Sequence, residues 1–352
     1  MSLDFKELAA FGWSNHYHSQ LSPEELDVCV PARVMAVHRN RLEVAGPALQ
    51  ESIPPYTPAA EDEGAATVGD WLLLDRGTHR PHRLLHRKSV FKRKAAGLAQ
   101  RGQLIAANID TLFVVTSCND EFNIARLERY LALASQAGVM PVIVLTKIDL
   151  VDDVDAYVAE ASRLMQGLII ERVDAREHTS CDVLSPWCGS GQTVALVGSS
   201  GVGKSTLVNT LLSEAVQPTT GIREHDAHGR HTTTGRSLHR LKAGGWLLDT
   251  PGMRELQLAD ADEGIAEVFA DIVALAAECR FGDCRHETEP GCAIQAALGD
   301  GRIGSDRLRR YRKLAAEDAR NSEAVHERRA RERSFGKMVR KSMVEKEDRW
   351  RG

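Results

Sequence analysis

A glycine-rich stretch typical of phosphate binding lies in the second half of the chain. Its residues run Gly198-Ser199-Ser200-Gly201-Val202-Gly203-Lys204-Ser205-Thr206 and match the pattern G-x-x-x-x-G-K-[ST] in full. In such a loop the glycines let backbone N–H groups surround a phosphate, and the helix that follows adds partial positive charge. We expect Lys204 to reach the β- and γ-phosphates and the Ser205 hydroxyl to hold Mg²⁺. A glycine-rich turn that matches by chance is the alternative.

A second set of candidate ligands follows a short apolar strand at residues 245–248, which ends in Asp249-Thr250-Pro251-Gly252. An Asp at such a strand end can hold Mg²⁺ through water, and the N–H of Gly252 can sense a γ-phosphate. The polar segment before this strand contains Thr233 and Thr234, either of which could join the Mg²⁺ when a γ-phosphate is present. The sequence does not choose between them, and a flexible threonine-rich surface loop is the alternative.

The residue after Gly252 is Met253, where Ras-like enzymes carry the glutamine that orients the attacking water. Methionine cannot orient a water molecule. Either hydrolysis of the bound nucleotide is therefore intrinsically slow, or another residue takes the role of the glutamine. His231 is the nearest candidate, because a neutral imidazole can accept a hydrogen bond from water. We therefore take His231 and Lys204 as the candidate catalytic residues. Contact of His231 with RNA or solvent is the alternative role.

The chain also carries a candidate base-recognition motif upstream of the phosphate loop. An apolar strand at residues 141–145 ends in Thr146-Lys147-Ile148-Asp149. A carboxylate at this place can accept hydrogen bonds from both N1–H and the 2-amino group of guanine, whereas adenine would leave it unpaired. The motif therefore predicts that Asp149 selects guanine. The alternative is an acidic residue that caps the next helix.

Three cysteines and a histidine lie close together near the C-terminal end. Cys279, Cys284, His286 and Cys292 form the pattern C-x4-C-x-H-x5-C. Three thiolates and one imidazole suit tetrahedral Zn²⁺, and four protein ligands leave no open position, so the site would be structural. The alternative is three free thiols and a surface histidine.

These candidate sites require elements that bring them together. Apolar runs at 110–116, 141–145, 167–173, 194–197 and 245–249 predict buried strands, and helices are predicted at 123–137, 207–212 and 263–278. This alternation is typical of an α/β domain with a parallel sheet. Short strands at 32–38, 41–44 and 67–75 predict a small barrel before it.

The order of the motifs is unusual. In ordinary small GTPases the guanine motif follows the phosphate loop, but here it precedes it, so the chain is interpreted as circularly permuted. The permuted order, G-S-S-G-V-G-K-S-T, D-T-P-G and the cysteine–histidine cluster together make the chain resemble the ribosome small-subunit-dependent GTPase A family of bacteria. The resemblance covers nearly the whole chain.

This resemblance implies an α/β fold in which a circularly permuted P-loop GTPase domain, at 107–262, is flanked by two other units. These are a lead-in with an OB-fold barrel at 1–106 and a zinc-binding helical domain with a basic tail at 263–352. It also implies GTP hydrolysis in late maturation of the small ribosomal subunit, with GTP, GDP, rRNA and the subunit as partners. The family usually has Asn where Thr146 stands, so we expect weaker support of the base site. Asp174-Ala175 stands where GTPases often carry Ser-Ala, and Asp174 is given no ligand role.

Charge and composition bound the remaining possibilities. The formal net charge is −4, yet basic residues cluster at 83–93 and in the tail at 328–351, which predicts contact with nucleic acid; solvated surface is the alternative. No apolar run of about eighteen residues and no signal-like start appear, and the seven cysteines suggest no disulfide framework. We expect a cytoplasmic monomer without a membrane span. The rival functions are a nucleotide-switched RNA-docking protein with incidental hydrolysis and a metabolic phosphotransferase.

Overall fold

The computed structural model describes residues 5–59, 64–93, 103–212, 236–249, 258 and 260–322 of the 352-residue chain. The catalytic candidate His231 and the switch threonines Thr233 and Thr234 lie outside the described residues, as do Gly252, Met253 and the basic tail.

The N-terminal region combines short helices with antiparallel strands. Its elements are α1 (Phe5–Ala10), α2 (Asn15–His18), α3 (Pro23–Val28), β1 (Cys29–Val37), β2 (Leu42–Gly46), β3 (Leu49–Ile53), β4 (Trp71–Asp75) and β5 (Pro81–Leu84). The strands pair in the order β3-β2-β1-β4-β5. A separate hairpin follows, formed by β6 (Val90–Arg93) and β7 (Gln103–Ala107). No pairing between β3 and β5 occurs in the described part of the chain, so the OB-fold barrel stays a prediction.

The central domain is built on a mostly parallel sheet. Its elements are β8 (Thr111–Ser117), α4 (Ile124–Gln136), β9 (Met140–Thr146), α5 (Val154–Ser162), β10 (Ile169–Arg172), α6 (His178–Cys181), α7 (Ser185–Cys188), β11 (Thr193–Val197), α8 (Lys204–Leu211), β12 (Arg236–Arg240) and β13 (Trp246–Asp249), with 3₁₀ turns at Ile148–Leu150 and Asp182–Leu184. Every residue of β8 is buried, which explains its continuous apolar run, since helices cover a parallel sheet on both faces.

The strand order places the predicted motifs at one edge of this sheet. The order is β10-β9-β8-β11-β13-β12, and only β12 runs antiparallel to its neighbour. The chain builds outward from β8 to β10 and then returns to place β11 on the other side of β8. In an open α/β sheet, ligands bind at the carboxyl ends of the strands where the order reverses in this way. The loops after β8 and β11 meet at that position.

The pairing of two strands, β1 and β12, joins the N-terminal sheet to the central sheet. The last residues of β1, Ala36 and Val37, pair antiparallel with Ser237 and Arg236 of β12. The eleven-stranded sheet is therefore continuous from β10 to β3. The buried guanidinium of Arg33 adds a second connection, because it donates to the carbonyl of Phe11 at 2.6 Å and to Thr193 Oγ1 at 2.8 Å, at the start of β11.

The C-terminal helices pack on α4 of the central domain. They are α9 (Asp262–Val268), α10 (Ala270–Ala277), α11 (Ala293–Gly299) and α12 (Ser305–Ser322). The approach of α9 to α4 requires glycine at 264, since a Cβ there would lie 2.1 Å from the carbonyl oxygen of Ala132. The single helix predicted at 263–278 is wrong. Two helices meet at Phe269, whose buried ring contacts Tyr311 of α12, and this tertiary contact accompanies the break.

An ion-pair network crosses the same interface. The carboxylate of Glu128 on α4 is fully buried and accepts hydrogen bonds from Arg310 Nε at 2.7 Å and Arg307 Nη1 at 3.2 Å. Arg307 also pairs with Asp271 of α10 at 2.7 Å. Buried charges need such partners to offset their desolvation. None of the described helices is both long and apolar enough to cross a bilayer.

Candidate functional site

The phosphate loop connects the end of β11 to the start of α8, as the sequence predicts. Gly198 has φ +149°, and a Cβ on it would lie 2.2 Å from the carbonyl oxygen of Val115 in β8. Gly201 and Gly203 have φ +81° and +90°, a region that side chains disfavour. The loop therefore needs its glycines. Gly201 and Gly203 are needed for their backbone conformation, and Gly198 is needed because it lies so close to the neighbouring strand.

The lysine of the loop is folded over it. Lys204 is the first residue of α8, and its amino group donates to the carbonyl oxygens of Gly198, at 2.8 Å, and Ser199. The side chain is buried, so the positive charge stays within the loop. Ser205 and Thr206 occupy the same helical turn and are half-buried. Charge and hydroxyl groups are thus collected at the N-terminus of α8, where an anion is favoured.

Thr146 connects the base motif to the phosphate loop. Its side chain is fully buried, and its hydroxyl donates to the carbonyl oxygen of Val202 at 2.6 Å. The carbonyl oxygen of Thr116 in β8 lies 3.2 Å from the same hydroxyl. The sequence predicts weaker support from threonine than from asparagine, and that comparison stays a prediction. The hydroxyl nevertheless bridges two motifs that lie 56 residues apart.

The rest of the base motif turns sharply at the end of β9. Lys147 has a left-handed backbone with φ +55°, and Ile148 and Asp149 continue into the 3₁₀ turn. The carboxylate of Asp149 is partly exposed and accepts a hydrogen bond from Arg176 Nη2 at 2.7 Å. Arg176 also pairs with Asp174, which follows β10. Our reading of the sequence did not single out Arg176, although its position directly after Asp174-Ala175 was a signal.

Asp249 is the last residue of β13, beside the phosphate-loop strand. The register pairs Leu248 with Ala195 of β11, which puts Asp249 at the same sheet edge as the loop. Its side chain is half-buried.

A further carboxylate touches the phosphate loop. Glu121 lies in the loop after β8, and a side-chain hydrogen bond with Ser199 is the main cause that holds the pKa of Glu121 below its usual value. Arg126 Nη1 donates to the same carboxylate at 3.1 Å. Sequence reasoning missed Glu121, because no local motif links it to a loop almost eighty residues away.

The four predicted metal ligands converge. The ligand atoms of Cys279, Cys284, His286 and Cys292 all lie within 4.8 Å of one another. Sγ of Cys279 is 3.9 Å from Sγ of Cys292 and 3.5 Å from Nδ1 of His286. A tetrahedral Zn²⁺ with ordinary bond lengths would separate two sulfurs by about 3.8 Å and a sulfur and a nitrogen by about 3.6 Å. The four side chains can therefore hold one metal ion.

The loop that carries these ligands is organised by other residues. The carboxylate of Glu289 accepts hydrogen bonds from the backbone N–H groups of Arg285, Glu287 and Thr288 at 2.8–3.0 Å. Backbone N–H groups, its own first, lower the pKa of Glu289 to about 2. Arg312 of α12 donates to the carbonyl oxygen of His286 at 2.7 Å. The cluster is thus attached to the C-terminal helices.

Fewer side chains of the basic stretch at 83–93 are free to contact nucleic acid than the sequence predicts. Arg87 is paired with the buried carboxylate of Asp70 at 2.8 Å, and its side chain is only 5% exposed. The prediction that it contacts nucleic acid is wrong, because its charge is used internally in the ion pair with Asp70. Arg83 is likewise held by Glu25 at 2.7 Å. Among the residues described at 80–92, the exposed basic ones are Arg80, Lys88 and Lys92, with His82 and His86.

The chain is similar to known proteins over most of its length. The family model described as RsgA GTPase matches residues 84–259. The small ribosomal subunit biogenesis GTPase RsgA 2 of Vibrio parahaemolyticus is 49% identical over 342 residues, which cover 97% of this chain and 94% of that protein. The small ribosomal subunit biogenesis GTPase RsgA of Mesorhizobium japonicum is 50% identical over 318 residues, which cover 90% of this chain and 91% of that protein.

Solved structures agree with the sequence relatives. The crystal structure of YjeQ from Thermotoga maritima has a TM-score of 0.59 and 26% identity, covering 82% of this chain and 97% of that one. YloQ, described as a circularly permuted GTPase, has a TM-score of 0.59 at 20% identity, covering 88% of this chain and 99% of that one, and this likeness shows the fold alone. The permuted fold is therefore confirmed, and by its relatives the chain belongs to the RsgA family of small ribosomal subunit biogenesis GTPases.

Proposed function

We propose that this protein binds GTP, hydrolyses it to GDP and phosphate, and acts in the late maturation of the small ribosomal subunit. One observation carries the proposal: the base motif after β9 and the phosphate loop after β11 lie on either side of β8 and are joined by the hydrogen bond from Thr146 to Val202. The names of its close relatives, which are small ribosomal subunit biogenesis GTPases, supply the biological context.

The described residues divide the work of binding. The loop from Gly198 to Thr206 takes the phosphates, and the segment from Thr146 to Asp149 takes the base. Lys204 and the loop N–H groups stabilise the negative charge that develops on the γ-phosphate. Ser205 and Asp249 are suited to hold Mg²⁺, which when bound supplies positive charge to the phosphate oxygens. Gly252 is assigned to the γ-phosphate from the sequence alone.

Catalysis is assigned to a segment outside the described residues. In this proposal His231 would orient the attacking water, and Thr233 or Thr234 would be a further ligand of the Mg²⁺. His231→Ala should lose most subunit-stimulated turnover and leave GTP affinity and subunit binding unchanged. Loss of turnover only through loss of binding would remove His231 from the mechanism.

The metal cluster has a structural role in this proposal. Zn²⁺ fits its three thiolates and one imidazole, and all four positions of a tetrahedron are then filled by protein. The ion would hold α10 and α11 together across the loop between them.

The three-part division at 1–106, 107–262 and 263–352 organises the contacts with the subunit. We infer that rRNA meets the exposed basic residues of the N-terminal region and the basic tail, so subunit affinity should fall steeply with salt. A cytoplasmic monomer is the form in which we expect the protein to act.

GTP hydrolysis with and without purified small ribosomal subunits tests the function. We expect slow turnover alone and a marked increase with subunits. Negligible turnover in both cases, with retained binding, would favour a nucleotide-switched RNA-docking protein. Transfer of phosphate to a metabolite instead of water would favour a phosphotransferase.

Base selection has its own test. Asp149→Asn should weaken GTP binding and admit xanthosine triphosphate, whose 2-oxo group can pair with the new amide. An unchanged preference in competition between the two nucleotides would contradict the role of Asp149.

A further inference from the structure

An arginine occupies part of the carboxylate that is assigned to the base. Arg176 Nη2 donates to Asp149 Oδ2 at 2.7 Å and to Asp174 Oδ2 at 2.9 Å. The guanidinium thus bridges the carboxylates that follow β9 and β10. No sequence motif requires this bridge.

Asp174 holds the arginine in place from its own side. Arg176 Nε and the backbone N–H of Arg176 both donate to Asp174 Oδ1, at 3.1 and 3.0 Å. Asp174 is the better buried of the two acids, with 13% of its side chain exposed against 28% for Asp149. Arg176 can therefore leave Asp149 and remain anchored.

The segment around Arg176 is fixed independently of any ligand. The backbone N–H of Asp174 donates to Ser180 Oγ at 2.8 Å. The carbonyl oxygen of Ala175 accepts from Thr210 Oγ1 of α8 at 2.7 Å. Because α8 begins at the phosphate loop, these bonds fix the backbone next to Arg176 relative to that loop.

Guanine and Arg176 share one oxygen atom of Asp149, Oδ2. Guanine offers two donors on one edge, N1–H and the 2-amino group, and pairs with a carboxylate through both oxygens. Hypoxanthine has N1–H but no 2-amino group, so it needs only one oxygen. A bound Arg176 on Oδ2 therefore opposes guanine more than hypoxanthine.

We propose that Arg176 is a specificity-determining residue that occupies Asp149 in the free protein and competes with the 2-amino group of guanine. The proposal rests on the proposed function, in which Asp149 accepts the base. A protein whose binding-competent state is only partly populated shows a reduced apparent affinity. Arg176 accordingly lowers the preference for guanosine over inosine nucleotides.

Dissociation constants for GDP and inosine diphosphate test this directly. Arg176→Ala should raise the GDP preference by about two- to fivefold, the range expected from an exposed ion pair. Arg172→Ala is a matched control, because Arg172 ends β10, is half exposed and pairs with Asp155 at 2.6 Å. It removes the same charge near the site and should leave the ratio unchanged.

The ratio separates competition from general electrostatics. A charge effect on the phosphates would change both affinities equally, and that result would overturn the proposal. A fall in the GDP preference would overturn it too, since Arg176 would then support the carboxylate. Arg176 is 65% exposed on its side chain, so the alanine variant should fold normally.

Asp149→Asn distinguishes the two levels of the proposal. If this variant keeps the wild-type preference for GDP over inosine diphosphate, the assigned base site is wrong. If it loses that preference while Arg176→Ala leaves the ratio unchanged, only the competition by Arg176 is wrong.

Discussion

Replacing Thr146 by valine removes one buried hydroxyl group and keeps the shape of the side chain. In the structure that hydroxyl donates to the carbonyl oxygen of Val202 at 2.6 Å, and both residues are fully buried. The bond is a direct polar connection between the base motif and the phosphate loop. Its loss should therefore loosen the loop and weaken nucleotide binding.

The magnitude follows from the burial of the acceptor. A buried polar group that loses its partner is penalised by about 1–3 kcal/mol. The bond joins two neutral groups, so we expect about 1–2 kcal/mol, in the lower part of that range. Since 1.4 kcal/mol corresponds to a factor of ten, the affinity for GDP should fall about five- to thirtyfold.

Titration of GDP into Thr146→Val, with urea unfolding in parallel, measures this effect. Unfolding reports any part of the loss that falls on the free protein. Thr146→Ser is the control, because it keeps the hydroxyl and deletes a buried methyl group. We expect it to lose about 1 kcal/mol of stability but to bind GDP within about twofold of wild type.

The opposite ranking would refute the reasoning. If Thr146→Val binds GDP like wild type while Thr146→Ser binds it weakly, the methyl group supports the loop and the hydroxyl does not.

Three further predictions concern the rest of the chain. Cys284→Ser should release the metal, detected by elemental analysis, and loosen the C-terminal helices while GDP affinity holds; a stoichiometric ion in this variant would contradict the assignment. Glu128→Gln should lower the free energy of unfolding, measured in urea titrations, by about 2 kcal/mol. Breaking a buried ion pair completely costs about 3–5 kcal/mol, and we expect less here because Arg307 keeps its pair with Asp271. The hydrogen bond from Arg83 lowers the pKa of Glu25 in the folded protein. The ion pair therefore stabilises the fold at a pH above the pKa of Glu25 in the unfolded chain, about 4.3, and this stabilisation is lost as the pH falls through the pKa in the folded protein. The stability difference between wild type and Glu25→Gln, measured across this pH range, should therefore shrink in acid, and a constant difference would argue against the ion pair.

Local sequence patterns predicted those parts of the protein that are formed by residues close together in the chain. The strands at 110–116 and 141–145 appear as Thr111–Ser117 and Met140–Thr146, and the helix at 123–137 appears as Ile124–Gln136. Buried parallel strands and amphipathic helices reveal themselves through their own periodicity. The cysteine–histidine cluster could be predicted because its four ligands lie close together in the sequence. The order of the motifs predicted the circular permutation. The roles of individual nucleotide-site residues and the OB-fold barrel stay predictions.

Tertiary structure decided the contacts between residues far apart in the chain. The pairing of Arg87 with Asp70 turned an expected RNA contact into an internal one, and the break at Phe269 divided a predicted helix. The attachment of β1 to β12 has no local signal, and the position of Arg176 after Asp174-Ala175 did not show that it bridges to Asp149. Each depends on which strands become neighbours, and that is set by the packing of the whole sheet. A sequence pattern shows which groups are available, but only the fold determines which of them meet.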